Sequence, residues 1–241
     1  MPDRIPPLLE VCVDDAAGLV AAVAGGADRI ELTSALELGG LTPSPALMAL
    51  AAEARIPVYV MIRPRAGNFV YSPVEEDQMR REIDVVREIG LSGIVIGAMR
   101  GNGRLDVEML SRFVQHAGGL GTTLHRAFDM VSDQFEALEQ AVGIGISRIL
   151  TSGGKPRAED ALDRIAALVE RAEGRIVIMA GSGLTAYNAP AFLAVPGLRE
   201  FHASCSVDAG GKDQSGMGFG PLPRRRTSSA VVAQLHAALR I

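Results

Sequence analysis

The ten residues GTTLHRAFDM, positions 121–130, change character halfway. Thr122, Thr123 and Leu124 suit a buried strand. His125, Arg126 and Asp129 then follow within five positions. Ionisable groups at the end of an apolar strand are costly to bury unless something there uses them. An imidazole beside a guanidinium and a carboxylate can move a proton or grip an anion. Other apolar runs carry similar insertions: Glu10 and Cys12 in LLEVCV, Glu31 in RIELTS, Arg63 in VYVMIRP and His202 in EFHASCS.

Side chains alternate along a strand. Glu10 therefore shares a face with Cys12, Glu31 with Thr33, Arg63 with Tyr59 and Met61, His125 with Thr123, and His202 with Ser204. If apolar helices cover the opposite faces, the charged residues point into one interior. This predicts a polar mouth holding Glu10, Glu31, Arg63, His125 and His202, with Arg126 and Asp129 on its rim. Glu10, Glu31, His125 and His202 suit a divalent ion such as Zn²⁺ or Mn²⁺. The same acids and imidazoles also suit proton transfer without metal, with Arg63 and Arg126 holding an anionic substrate, phosphorylated ones included. Two short glycine loops, TSGG at 151–154 and AGSG at 180–183, follow buried runs. They make Ser152, Gly153, Gly154, Gly181, Ser182 and Gly183 candidates for an anion cradle of backbone amides. Glycine also simply permits a tight strand-to-helix turn, and the two readings stay open.

The elements that would position these groups alternate from end to end. Eight apolar runs (LLEVCV, RIELTS, VYVMIRP, GIVIGAM, GTTLHRAF, RILTSGG, IVIMAGSG and EFHASCS) are separated by stretches with helical periodicity. Helices are expected over 14–24, 45–54, 75–89, 107–117, 134–142, 159–172, 186–193 and 228–241, with Asp14, Ser44 and Ser132 as capping residues. The pattern predicts an α/β fold, a single (β/α)8 TIM-type barrel spanning 1–241. An open doubly wound sheet is the alternative. A Gly-rich stretch at 207–227 reads as a loop or lid before the last helix. In barrels of this kind the C-terminal strand ends form the site, which is where the polar residues fall.

Composition narrows the partners. The chain has 241 residues, a formal charge of −4, and no basic block beyond Arg224, Arg225 and Arg226, so nucleic acid is not expected. No apolar run is long enough to span a bilayer, and the N-terminal MPDRIPPLLEV lacks a signal-peptide layout. Two distant cysteines, Cys12 and Cys205, fit a reducing cytoplasm better than a disulfide framework.

In consistent order, LLEVCVDD, GADRIELTSALELGGLTPS, VMIRPRAGNFVYS, LHRAFDM, RILTSGG and IMAGSG resemble the CutC family, named for copper homeostasis. The similarity runs from Leu8 to about Ser206. It implies a TIM-type barrel, a cytoplasmic location and self-association as a homodimer or higher homo-oligomer. It also implies Cu(I) binding, with Cys12 as the thiol ligand and Met61 or His202 beside it. Many members carry a second cysteine in strand two, where this chain has Thr33. Cys205 can replace it only if strand eight breaks, because Cys205 otherwise alternates away from His202.

Overall fold

The computed structural model describes residues 6–210 and 225–240. Eight strands form where the apolar runs were expected: β1 (Leu8–Val13), β2 (Arg29–Leu32), β3 (Val58–Met61), β4 (Gly93–Ile96), β5 (Gly121–Leu124), β6 (Arg148–Thr151), β7 (Val177–Gly181) and β8 (Glu200–Ala203). They pair in parallel in chain order, and β8 pairs back onto β1. That last pairing closes the sheet and removes the open alternative; the fold is a (β/α)8 barrel. One register fixes the centre of the site: Glu10 lies level with Arg29 on one side and with His202 on the other.

Helices α1 (Ala16–Ala24), α2 (Pro45–Ala52), α3 (Pro73–Ile89), α4 (Val107–Ala117), α5 (Gln134–Gly143), α6 (Leu162–Ala172), α7 (Ala189–Leu193) and α8 (Ser229–Ala238) surround the sheet. Their starts follow local chemistry. Ser44 caps α2 as expected. Asp15 rather than Asp14 caps α1, and Asp14 instead accepts from the Leu36 amide at 3.1 Å. Asp133 rather than Ser132 caps α5 through the amides of Phe135 and Glu136. Helix α3 begins two residues early, because Pro73 suits a first helical turn and Ser72 with Glu75 closes a capping box. Between strands and helices lies the apolar shell, with Leu9, Val11, Ile30, Val60, Ile94 and Phe201 fully buried against residues such as Met79, Phe113 and Phe192. No helix among the described residues is long and apolar enough to cross a membrane.

The interior is polar at its floor. Arg29 donates from Nε to Glu10 and from Nη2 to Glu200 at 2.5 Å, and Arg148 donates to the same Glu200. The Tyr59 ring lies under both guanidiniums, 5.3 Å and 5.2 Å from their carbons. It fits because Gly93 and Gly121 lack side chains: a Cβ there would stand 2.4 Å and 2.1 Å from atoms of Tyr59.

The ends of the 207–227 stretch are ordered as an antiparallel ribbon of β9 (Ser206–Asp208) and β10 (Arg225–Thr227) beside the mouth. The rest of that expected loop, 211–224, lies outside the described residues.

Candidate functional site

A cavity of about 990 Å³ opens at the C-terminal ends of the strands, lined among others by Cys12, Glu31, Met61, Arg63, His125, Arg126 and His202. Glu10 does not line it. Glu10 sits one layer lower, fully buried, with one oxygen on Arg29 and the other accepting from His202 Nδ1 at 2.8 Å. Its burial opposes ionisation, but Arg29 and His202 outweigh that and hold the carboxyl well below the usual range. The expectation that Glu10 acts in the mouth is therefore corrected: both its oxygens are engaged, and it orients His202 from below.

With Nδ1 committed to Glu10, His202 turns Nε2 toward the cavity, 4.0 Å from Glu31 Oε1. Cys12 completes this wall, and ligand atoms of Cys12, Glu31 and His202 all lie within 4.8 Å of one another. Burial raises the Glu31 carboxyl, helped by the Glu10 charge and opposed by His202. Burial and then the Glu31 charge push the Cys12 thiol well above its ordinary value. Burial lowers His202, but the two carboxylates prevail and raise it. One oxygen of Glu31 is buried without a partner. His125 is not part of this group, so the four-ligand set expected from sequence divides, with Cys12 in place of Glu10 and His125.

His125 follows β5, and Arg63 follows β3, the strand paired with that of Glu31; both line the same cavity. His125 Nδ1 accepts from the Ala127 amide at 3.0 Å, which places the ring proton on Nε2. Burial, then the Arg63 charge, pulls its pKa down to about 3, so the ring is neutral. Arg63 donates from Nη1 to the carbonyls of Leu38 and Gly40 at 2.9 and 3.0 Å, and from Nη2 to Gly67 at 3.0 Å. The ring of His125 has its place because of Gly97, where a Cβ would meet His125 Cε1 at 2.2 Å. Gly97→Ala is expected to displace that ring and to destabilise the barrel by about 1–3 kcal/mol, as overpacking does. Chemical denaturation reads the loss, and an unchanged midpoint would show that the ring has room to move.

The rim departs from expectation. Asp129 Oδ1 accepts from the amides of Ser152 and Gly154 at 3.1 and 3.0 Å and from Thr151 Oγ1 at 2.5 Å. Its Oδ2 takes Arg126 Nε at 2.8 Å and Ser152 Oγ at 2.9 Å, while the Gly153 amide turns to Thr151 Oγ1 at 2.9 Å. The TSGG loop is thus an anion cradle whose anion is the protein's own Asp129, which corrects both the external role expected for Ser152, Gly153 and Gly154 and the catalytic role expected for Asp129. Arg126 keeps a half-exposed side chain on the cavity wall. Of the second loop, Ser182 and Gly183 face the cavity. Gly181 instead leaves space for Leu150 and His202, whose Cδ1 and Cβ would lie 2.6 Å and 3.1 Å from an added Cβ.

Strand β8 ends at Ala203, and Cys205 adopts a left-handed φ of 46°. The break brings Cys205 to the cavity wall despite its parity. It remains outside the Cys12 group, and burial alone pushes its thiol up to about 12. Packed in the apolar cluster, it behaves as a small hydrophobe. Sequence reasoning missed Arg29, Arg148 and Glu200. The signal was present: Arg29 is two positions before Glu31, and Glu200 two before His202, so alternation sends both inward.

The comparisons with known proteins converge. The CutC family model matches residues 7–207. A family protein CutC of Caulobacter vibrioides is 56% identical over 237 residues, covering 97% of each chain. One of Sinorhizobium medicae is 53% identical over 234 residues, covering 96% of each. The crystal structure of Streptococcus agalactiae CutC, described as a copper homeostasis protein, superposes with a TM-score of 0.78 at 34% identity, over 82% of this chain and 98% of that one. Barrel closure, chain-long identity and the shared fold together make this chain a member of the CutC family.

Proposed function

We propose that the protein serves copper homeostasis by binding a metal ion as cargo at Cys12, Glu31 and His202. The observation that carries this reading is the convergence of a thiol, a carboxylate and an imidazole on one cavity wall. His202 is already oriented for it, since a metal-binding imidazole commonly gives its other nitrogen to a carboxylate, here Glu10. Copper(I) favours the sulfur and accepts the imidazole, and the carboxylate adds affinity for harder ions such as Zn²⁺. In this arrangement Glu31 and His202 stand in for the thiol that Thr33 replaces. The free cysteines fit a reducing cytoplasm.

Binding must displace the proton that burial and Glu31 hold on Cys12, so affinity is expected to rise with pH. Anaerobic Cu(I) competition on wild type, Cys12→Ser and His202→Ala tests the reading. Each variant is expected to lose about tenfold or more in affinity. Equal affinity in all three proteins would sink it.

A second reading is favoured by the volume of the cavity, about 990 Å³, which far exceeds what an ion fills. On that reading the barrel is an enzyme acting on a small anionic metabolite, with Glu31 and His202 exchanging protons. A screen of phosphorylated and carboxylated metabolites for turnover distinguishes the two.

A further inference from the structure

Arg63 and His125 present an unusual combination. Both side chains are almost wholly buried, at 5% and 4% exposure. Arg63 Nε and His125 Nε2 have no hydrogen-bond partner. Nε2 carries the ring proton, because Nδ1 accepts from a backbone amide. The His125 Nε2–H therefore lacks an acceptor, and Arg63 has only the Tyr71 hydroxyl as a further polar neighbour. The Tyr71 hydroxyl lies beside Arg63 and is also without an aligned partner. Arg63 forms no ion pair with a carboxylate among the described residues; three backbone carbonyls, the face of an aromatic ring and the Tyr71 hydroxyl surround it, all neutral. A buried cation so placed lacks an anion, and buried donors left unpaired are costly.

The ring is Phe69. Its centroid is 5.0 Å from the Arg63 guanidinium carbon and 4.7 Å from the His125 ring. Phe69 comes from the loop between β3 and α3, is half-buried, and has the exposed Asn68 and Val70 on either side. Its carbonyl is anchored by the Met99 amide at 2.8 Å, so a change of its side-chain rotamer would not need the backbone to move. The aromatic face offsets part of the cation's isolation but gives neither N–H an acceptor.

We infer that Arg63 and His125 form a subsite for the oxygens of a carboxylate or phosphate group, and that Phe69 is the side chain that covers it until such a ligand arrives. The subsite lines the same cavity as Cys12, Glu31 and His202 and needs no metal. It gives the small-molecule reading its substrate class, an anion whose charged end is buried at Arg63 and His125. It also holds if Cys12, Glu31 and His202 only carry metal.

The test uses metal-free protein, with inorganic phosphate and acetate as probes, and reads the His125 imidazole by nitrogen NMR. In wild type one or both probes are expected to shift the Nε2–H signal. Phe69→Ala is expected to tighten binding about tenfold, because the ligand no longer displaces a ring from the cation. Arg63→Met is expected to abolish it. Arg63 also ties three carbonyls, so should that variant not fold, wild type and Phe69→Ala decide the matter. A response to acetate alone indicates carboxylate substrates, and one to phosphate alone indicates phosphorylated ones. An unmoved His125 signal with both probes, in wild type and in Phe69→Ala, overturns the subsite and leaves the metal reading untouched.

Discussion

Glu10→Ala is expected to cost the barrel about 3–5 kcal/mol, the range for removing one partner of a buried ion pair. The substitution leaves Arg29, 3% exposed, with Glu200 alone, and Glu200 must then balance Arg148 as well. His202 loses its Nδ1 partner in the same step. Few single domains tolerate a loss of that size, since total stability is typically only about 5–15 kcal/mol. Urea unfolding at constant slope measures it. Glu10→Gln keeps the shape and some hydrogen bonding but not the charge, and should fall between wild type and alanine. A loss below about 1 kcal/mol for alanine would mean that water replaces the carboxylate, and that the floor of the barrel is wetter than its burial suggests.

Acid is expected to weaken the fold through His125, and His125→Asn to remove that dependence. The folded pKa is pulled down to about 3, whereas the unfolded chain binds the proton near 6.5. The unfolded state therefore binds more protons between these values. The contribution is fully present above the unfolded value and is lost as pH falls through the window toward 3, at about 1.4 kcal/mol per pH unit. Asparagine is the informative replacement because its side chain can still accept from the Ala127 amide, as the imidazole does. It will lower stability at neutral pH through lost packing on Phe69, but the slope on acidification should flatten. His202 has the opposite sign. Its raised pKa favours the charged ring, so its contribution is present below about 6.5 and fades as pH rises through the folded value. An equal slope in wild type and His125→Asn would show that His125 takes up its proton at the same pH in the folded and unfolded protein.

Much of the architecture was legible because one rule carried it. Alternation along short strands, with an apolar shell outside, placed Glu31, Arg63, His125 and His202 in one mouth, as the structure does. Closure could not be read from alternation, because β1 and β8 pair across nearly the whole chain. Depth was the second gap. Alternation gives the face but not the layer, so Glu10 was placed with the mouth when it belongs to the floor with Arg29 and Glu200. Arg29 and Arg148 begin their strands, where a charge reads as the solvated edge of a loop. The third gap was in the loops. TSGG has the look of an anion cradle, and it is one; only the tertiary structure brings Asp129 to fill it from a separate turn. Cys205 failed the alternation rule for a local reason, the left-handed residue that ends the strand geometry.

The floor of Arg29, Glu10, Glu200, Arg148 and Tyr59 makes this barrel a cup rather than a tube. Among the described residues the cavity opens beside the β9–β10 ribbon, away from that floor. Two ligands held in the one cavity would therefore share that exit. A large molecule resting on the mouth would trap both, so the rim of the mouth is where their traffic is governed.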